Sequence, residues 1–228
     1  DIVIVAAKRT PMGAFQGALA NLTAPELGAC AIAAAMAQAG LKGEQIDEAY
    51  MGNVLSAGVG QAPARQAVLK AGLPESVPCT TVNKVCGSGM KAVMLAADSL
   101  RLGDTDIVIA GGMESMSRAP YLLDKARSGF RMGHQSVLDH MFLDGLQDAY
   151  EGQLMGHYAQ LSADRAGLAR SDMDAFAIAS LTRALAAQQS GAFKAELAQV
   201  TVGDTLLLAE DEQPAKARPD KIPHLKPA

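Results

Sequence analysis

The sequence predicts an α/β protein with a mostly parallel sheet. Three observations carry that reading. Short apolar runs alternate with helix-like stretches through the first 116 residues. Helix start and stop signals fall between the runs. Of the residues, 49% are hydrophobic but only 4% are aromatic, with no Trp. A core of Ala, Val, Leu, Ile and Met suits close packing of helices on a sheet.

The elements follow in order. Residues 2–7, IVIVAA, are apolar throughout, as in a strand covered on both faces. Thr23 and Glu26 have capping-box spacing, with Pro25 in the first turn. They open an Ala-rich helix that Gly40 ends. Residues 49–55 read as the second strand. Residues 63–73 read as a short helix with Arg65 and Gln66 in its first turn. Residues 79–85 make the third strand, and residues 88–102 a helix closed by Gly103. Residues 106–110 make the fourth strand and run into GGMESMS. Four strands alternating with three helices call for right-handed crossovers.

After residue 116 the texture changes. Residues 117–160 are rich in Met, Gly, Asp and His, with weak periodicity, and an excursion of that length is usually functional. Residues 171–189 form an amphipathic helix with Ser171 as N-cap and Asp174 at its third position. Residues 199–208 read as a hairpin around Gly203 and Asp204. Residues 210–228 carry four Pro and mixed charge and read as a linker. The domain reading is therefore a core over 1–116 and a second unit over 117–228.

Composition narrows the function classes. The net charge is −4, with no basic stripe interleaved with aromatics, so nucleic acid is not the expected partner. No apolar run approaches the roughly 20 residues of a membrane span. Three cysteines and the lack of a secretory leader pattern point to a reducing compartment, the cytoplasm.

The chemistry centres on VNKVCGSGMKAV, residues 82–93. Cys86 falls where a strand gives way to a helix. The helix N-terminus favours the thiolate. The flanking Gly87 and Gly89 let a substrate approach the backbone. The Cys86 N–H can donate to a carbonyl oxygen that gains charge during attack. A nucleophile at a strand-to-helix turn is a known design, and sulfur suits exchange between thioesters. On position alone, a packed small hydrophobe is an equal alternative. For Cys30 and Cys79 the packed reading is preferred.

These residues resemble the acyl-cysteine signature of the thiolase family. RTPMGAFQG (9–17) resembles the loop after its first strand, and GNVLSAGVGQAPARQAVLKAGLP (52–74) its dimer-contact region. AGGMESMSRAPY (110–121) resembles the entry to its loop domain. DGLQDAY (144–150) and GQLMG (152–156) resemble the stretch covering the pantetheine arm of coenzyme A. Lys84, GSGM and MESMS are similar to the short-chain, acetoacetyl-CoA type. The similarity runs end to end.

The resemblance implies a thiolase-like layered α-β-α half with an inserted α+β loop domain over 117–228. It implies a ping-pong acetyl-CoA acetyltransferase of lipid metabolism, with Cys86 as the acylated nucleophile and its N–H as oxyanion donor. Leu146 and Met155 would contact coenzyme A. No metal or redox cofactor is implied, because coenzyme A thioesters are the substrates. A homodimer or homotetramer is expected.

Departures bear on this. The family takes a base His from a Gly-His-Pro motif, a second Cys, and an Asn from Asn-Glu-Ala-Phe, all in its second half. None is present here. His134, His140, His157 and His224 match no such motif, and each reads as a surface or hydrogen-bonded His. Leu154 stands where relatives carry His. Lys216, Arg218 and Lys221 face either coenzyme A phosphates or solvent. The C-terminal half is absent from this chain and is expected as a partner or continuation. Without it, a sheet edge and an apolar face should lie bare. The alternative reading is a non-catalytic CoA-thioester-binding or assembly module. A ketoacyl synthase is disfavoured by the long insertion.

Overall fold

The computed structural model describes residues 1–227. Its centre is a three-stranded parallel sheet in the order β2-β1-β3. The strands are β1 (Glu48–Gly52), β2 (Cys79–Val82) and β3 (Val108–Gly112). Ala49 pairs with Cys79 on one side and Ile109 on the other.

Helix α1 (Ala24–Ala39) starts at the full capping box, with the Thr23 N–H donating to Glu26 Oε2 at 2.8 Å. It ends at Gly40, whose φ of 67° is left-handed. Helix α2 (Pro63–Lys70) is shorter than the pattern predicts. Helix α3 (Ser88–Leu102) has the predicted bounds and stops at Gly103, φ 78°. The core lies between α1, α2 and the sheet, around Ile32, Met51, Ala67, Val68 and Val77.

Residues 2–7 are not a strand. They stand beside β3, separated from it by a cavity of about 380 Å³ lined by apolar side chains of α1, α3 and β3. No layer covers them among the described residues, and Val3, Ile4 and Val5 are 69%, 80% and 65% exposed. An apolar run specifies burial but not its partner, so the sheet has three strands rather than four.

The second part is less regular. A two-residue pair, β4 (Tyr121–Leu122) with β5 (Leu138–Asp139), leads into a π-helical turn, Phe142–Leu146. Helix α4 (Met155–Arg165), which weak periodicity hid, follows. Helix α5 (Arg170–Ser190) is capped by Ala169, not Ser171. The carboxylate of Asp172 accepts the Ala169 N–H at 3.0 Å. The predicted hairpin is β6 (Val200–Val202) with β7 (Thr205–Leu208), turning at Gly203.

Residues 210–227 are not a linker. Helix α6 (Glu212–Lys216) docks on the loop after residue 8. Arg9 grips both Asp211 oxygens at 2.7 and 3.0 Å and Glu196 at 2.6 Å, and its guanidinium lies 5.1 Å from the Phe193 ring centroid. Glu212 Oε2 accepts the N–H groups of Ala14 and Ala18. The Pro and charge pattern read as solvated because these partners lie nearly 200 positions away.

Candidate active site

Strand β2 ends at Val82, and the chain turns within six residues into α3. The Gly87 N–H donates to the Lys84 carbonyl at 3.1 Å, closing a tight turn with Cys86 third in it. Val85 holds a φ of 48°, a costly conformation for a β-branched residue. Three bonds impose it. The Val85 N–H donates to Asn83 Oδ1 at 2.9 Å, and its carbonyl accepts from Ser88 Oγ at 2.6 Å and the Ser88 N–H at 3.1 Å. Ser88 is buried, and its hydroxyl also accepts the Lys84 N–H at 2.8 Å.

Close packing on the sheet fixes the elbow. A Cβ on Gly52 would lie 2.7 Å from Ser88 Cβ and 2.8 Å from the Gly89 nitrogen. One on Gly112 would lie 3.2 Å from Gly89 Cα. The start of α3 therefore rests directly on the carboxyl ends of β1 and β3, where parallel sheets carry their sites.

Cys86 is exposed on this chain. Its N–H and its thiol have no hydrogen-bond partner among the described residues. The N-terminus of α3 carries no side-chain cap; its Ser88 N–H is taken by the Val85 carbonyl, which leaves the Gly89 and Met90 N–H groups without a partner among the described residues. Cys30 and Cys79 are partly buried, and burial raises the pKa of both thiols.

Leu146 closes the π-helical turn, and Met155 opens α4. An isolated antiparallel bridge between Gln147 and Leu154 brings the two together, backed by a 2.7 Å bond from the Asp148 N–H to the Gln153 carbonyl. Leu146 is half-buried and Met155 is exposed. The hydrogen bonds shaping the elbow come from residues 82–88, and none reaches this segment. Of the basic cluster, Lys216 is committed to Glu212 at 2.8 Å and Arg218 to Asp220 at 3.4 Å.

A polar cluster that the sequence reading missed joins the two parts. Glu114 accepts the Val54 N–H and the Asn53 amide, each at 2.8 Å. Burial lifts its carboxyl above the usual range, although the Val54 and Leu55 N–H groups favour the charge. Asn53 is buried, and its Oδ1 has no partner among the described residues. His140 is 5% exposed and bonds to Ala57 and Asp144. The one available signal was an acid, Glu114, two residues beyond an apolar strand.

The layout is that of an α/β protein carrying an open thiol at the carboxyl edge of its sheet. The chain belongs to the thiolase family: the family model described as "Thiolase, N-terminal domain" matches residues 2–228. The acetyl-CoA acetyltransferase of Pseudomonas aeruginosa is 49% identical, over all of this chain and 59% of that protein. That of Cupriavidus necator is 50% identical over the same shares. The crystal structure of the Acat5 thiolase from Ascaris suum, in complex with coenzyme A, superposes with a TM-score of 0.93 at 38% identity. That match covers 99% of this chain and 58% of the other. The chain thus spans somewhat under three fifths of the length of these relatives.

Proposed function

We propose that this chain supplies the nucleophile and the coenzyme A cover of an acetyl-CoA C-acetyltransferase. Cys86 Sγ attacks the thioester carbonyl of acetyl-CoA. The carbon–sulfur bond to coenzyme A breaks, the coenzyme A thiolate takes a proton, and Cys86 carries the acetyl group. The Cys86 N–H donates to the carbonyl oxygen as it gains charge. A second acetyl-CoA loses an α-proton to a base, and its carbanion attacks the acetyl carbon. A carbon–carbon bond forms and the thiolate of Cys86 leaves, giving acetoacetyl-CoA. Thiolysis is the reverse. The acyl-cysteine and the base account for every step, so no metal or redox cofactor is called for.

The base, the second Cys and the Asn of the family motifs are assigned to the part of the relatives' length that this chain does not span. The open apolar surface of residues 3–5 with Met90 and Met94 is assigned to contact with that part. Residues 117–228 act as the loop domain, with Leu146 and Met155 against the pantetheine arm. The assembly is a homodimer or homotetramer in the cytoplasm. Among the described residues no helix is long and apolar enough to cross a membrane.

The observation that carries this reading is the open thiol of Cys86 on a strained turn inside an end-to-end family match. Intact mass of the full-length protein tests it. Acetyl-CoA should add one acetyl group, lost in Cys86→Ala. No adduct on the unchanged protein would refute the reading.

A further inference from the structure

The buried imidazole of His140 is engaged at both nitrogens. The Ala57 N–H donates to Nε2 at 3.3 Å, so Nε2 carries no proton. Nδ1 therefore carries it and donates to Asp144 Oδ2 at 2.5 Å. The His140 N–H is tied to the Pro120 carbonyl at 3.2 Å. Asp144 lies within the π-helical turn that ends in Leu146, a rare geometry that is frequent at functional sites. The ring thus links the loop after β1 to the turn presenting Leu146.

A second contact joins the same two pieces. A Cβ on Gly145 would lie 3.3 Å from Leu55 Cδ2, and Leu55 is 3% exposed. The loop holding Leu55 and Ala57 follows Gly52, the last residue of β1, which seats Ser88 of the elbow. Residues 52–57 are therefore one reference for both the nucleophile and the Leu146 segment. Glu114 fixes the middle of that loop through Val54 and Leu55.

We propose that His140 is a positioning residue for the thioester: its neutral ring, bonded to Ala57 and Asp144, holds the Leu146 turn in register with the Cys86 elbow. This rests on the function proposed above. His140 does not touch the substrate and acts through Leu146. Without the ring, Ala57 and Asp144 lose their partner and the turn is free to leave its π geometry. The preorganisation lost corresponds to about one net hydrogen bond, or up to about tenfold in coenzyme A affinity.

The test uses the full-length protein with His140→Phe, which fills the space without accepting a bond, and His140→Gln, whose amide oxygen can accept from Ala57. Coenzyme A affinity is read by calorimetry, beside the melting temperature and acetylation of Cys86. The Phe variant should bind coenzyme A about tenfold more weakly, and the Gln variant should return to within about threefold of the unchanged protein. Both should still be acetylated at saturating acetyl-CoA. Equal affinity in all three proteins overturns the proposal. So does an equal loss in both variants with a lowered melting temperature, which is the mark of general packing. A protein that binds coenzyme A in a His140-dependent way yet gains no acetyl group upholds this inference and refutes the acetyltransferase reading. A protein that does not bind coenzyme A refutes both.

Discussion

Gly52 and Ser88 meet at the seam between sheet and helix, so closely that a Cβ on Gly52 would stand 2.7 Å from Ser88 Cβ. Real Cβ atoms do not approach that far, and the other near neighbours are backbone atoms of α3 that cannot swing away. Gly52→Ala therefore has to lift the start of α3 from the sheet. The expected cost is about 2–3 kcal/mol of stability, the upper part of the roughly 1–3 kcal/mol usual for overpacking a core. Acyl transfer to Cys86 should fall further than stability alone explains, because the elbow moves with the helix. Urea unfolding beside a single-turnover acetylation assay reads both. Unchanged stability would show that the helix gives way freely.

Ser88→Ala tests the turn rather than the seam. The Val85 carbonyl keeps the Ser88 N–H, but the Lys84 N–H loses its acceptor and the strained φ of Val85 loses a restraint. The expected loss is about 1–2 kcal/mol. The more telling readout is a ratio of rates at Cys86. Acetylation by acetyl-CoA needs an aligned thiol and should fall about tenfold, in proportion to lost orientation. Alkylation by iodoacetamide needs little alignment and should hold. A parallel fall in both rates would mean that the hydroxyl acts on reactivity, not on position.

The three cysteines should separate under that reagent. Cys86 is exposed and has no partner for its thiol among the described residues. Cys30 is partly buried, and its sulfur sits 3.5 Å from the Gln199 carbonyl. Cys79 sits 3.2 Å from the Val77 carbonyl. Burial raises both pKa values, which cuts the thiolate fraction at neutral pH. Peptide mapping after brief alkylation should find the label on Cys86 first. Equal labelling of all three would mean that the α1 and β2 environments open readily.

How much of this was legible follows from the range of each interaction. The Thr23–Glu26 box and the αL stops at Gly40 and Gly103 are local signals, and α1 and α3 formed between them. The elbow was legible for the same reason, since Asn83, Ser88 and the glycines lie within a few positions of Cys86. Residues 2–7 failed because apolar character says nothing about which strand will pair. The Asn53, Glu114 and His140 cluster was hidden because its members come from three distant segments. Asp172 displaced Ser171 as the capping side chain because its carboxylate reaches back to Ala169, a choice that spacing alone leaves open.

The Arg9–Asp211 pair gives acid a defined point of attack. Burial works to raise the Asp211 pKa, but the Arg9 guanidinium and the Met12 N–H at 2.7 Å outweigh it, and the net value lies below the usual carboxylate range. Glu212 is also lowered, by Lys216 first and then by the Ala14 N–H. A lowered folded-state value means that the stabilisation is complete above the unfolded-state value, near pH 4. It is lost as pH falls through the folded-state value. Acidification below about pH 4 should therefore progressively loosen residues 211–227 from the loop at residues 9–18. Hydrogen exchange at the Met12 and Ala14 amides reads that release directly. Asp211→Asn should speed exchange there already at pH 7 and flatten its dependence across the acid range, because the charge that titrates is gone. If the variant keeps the full acid dependence, the release is governed by Glu212 and the other carboxylates, not by the grip of Arg9.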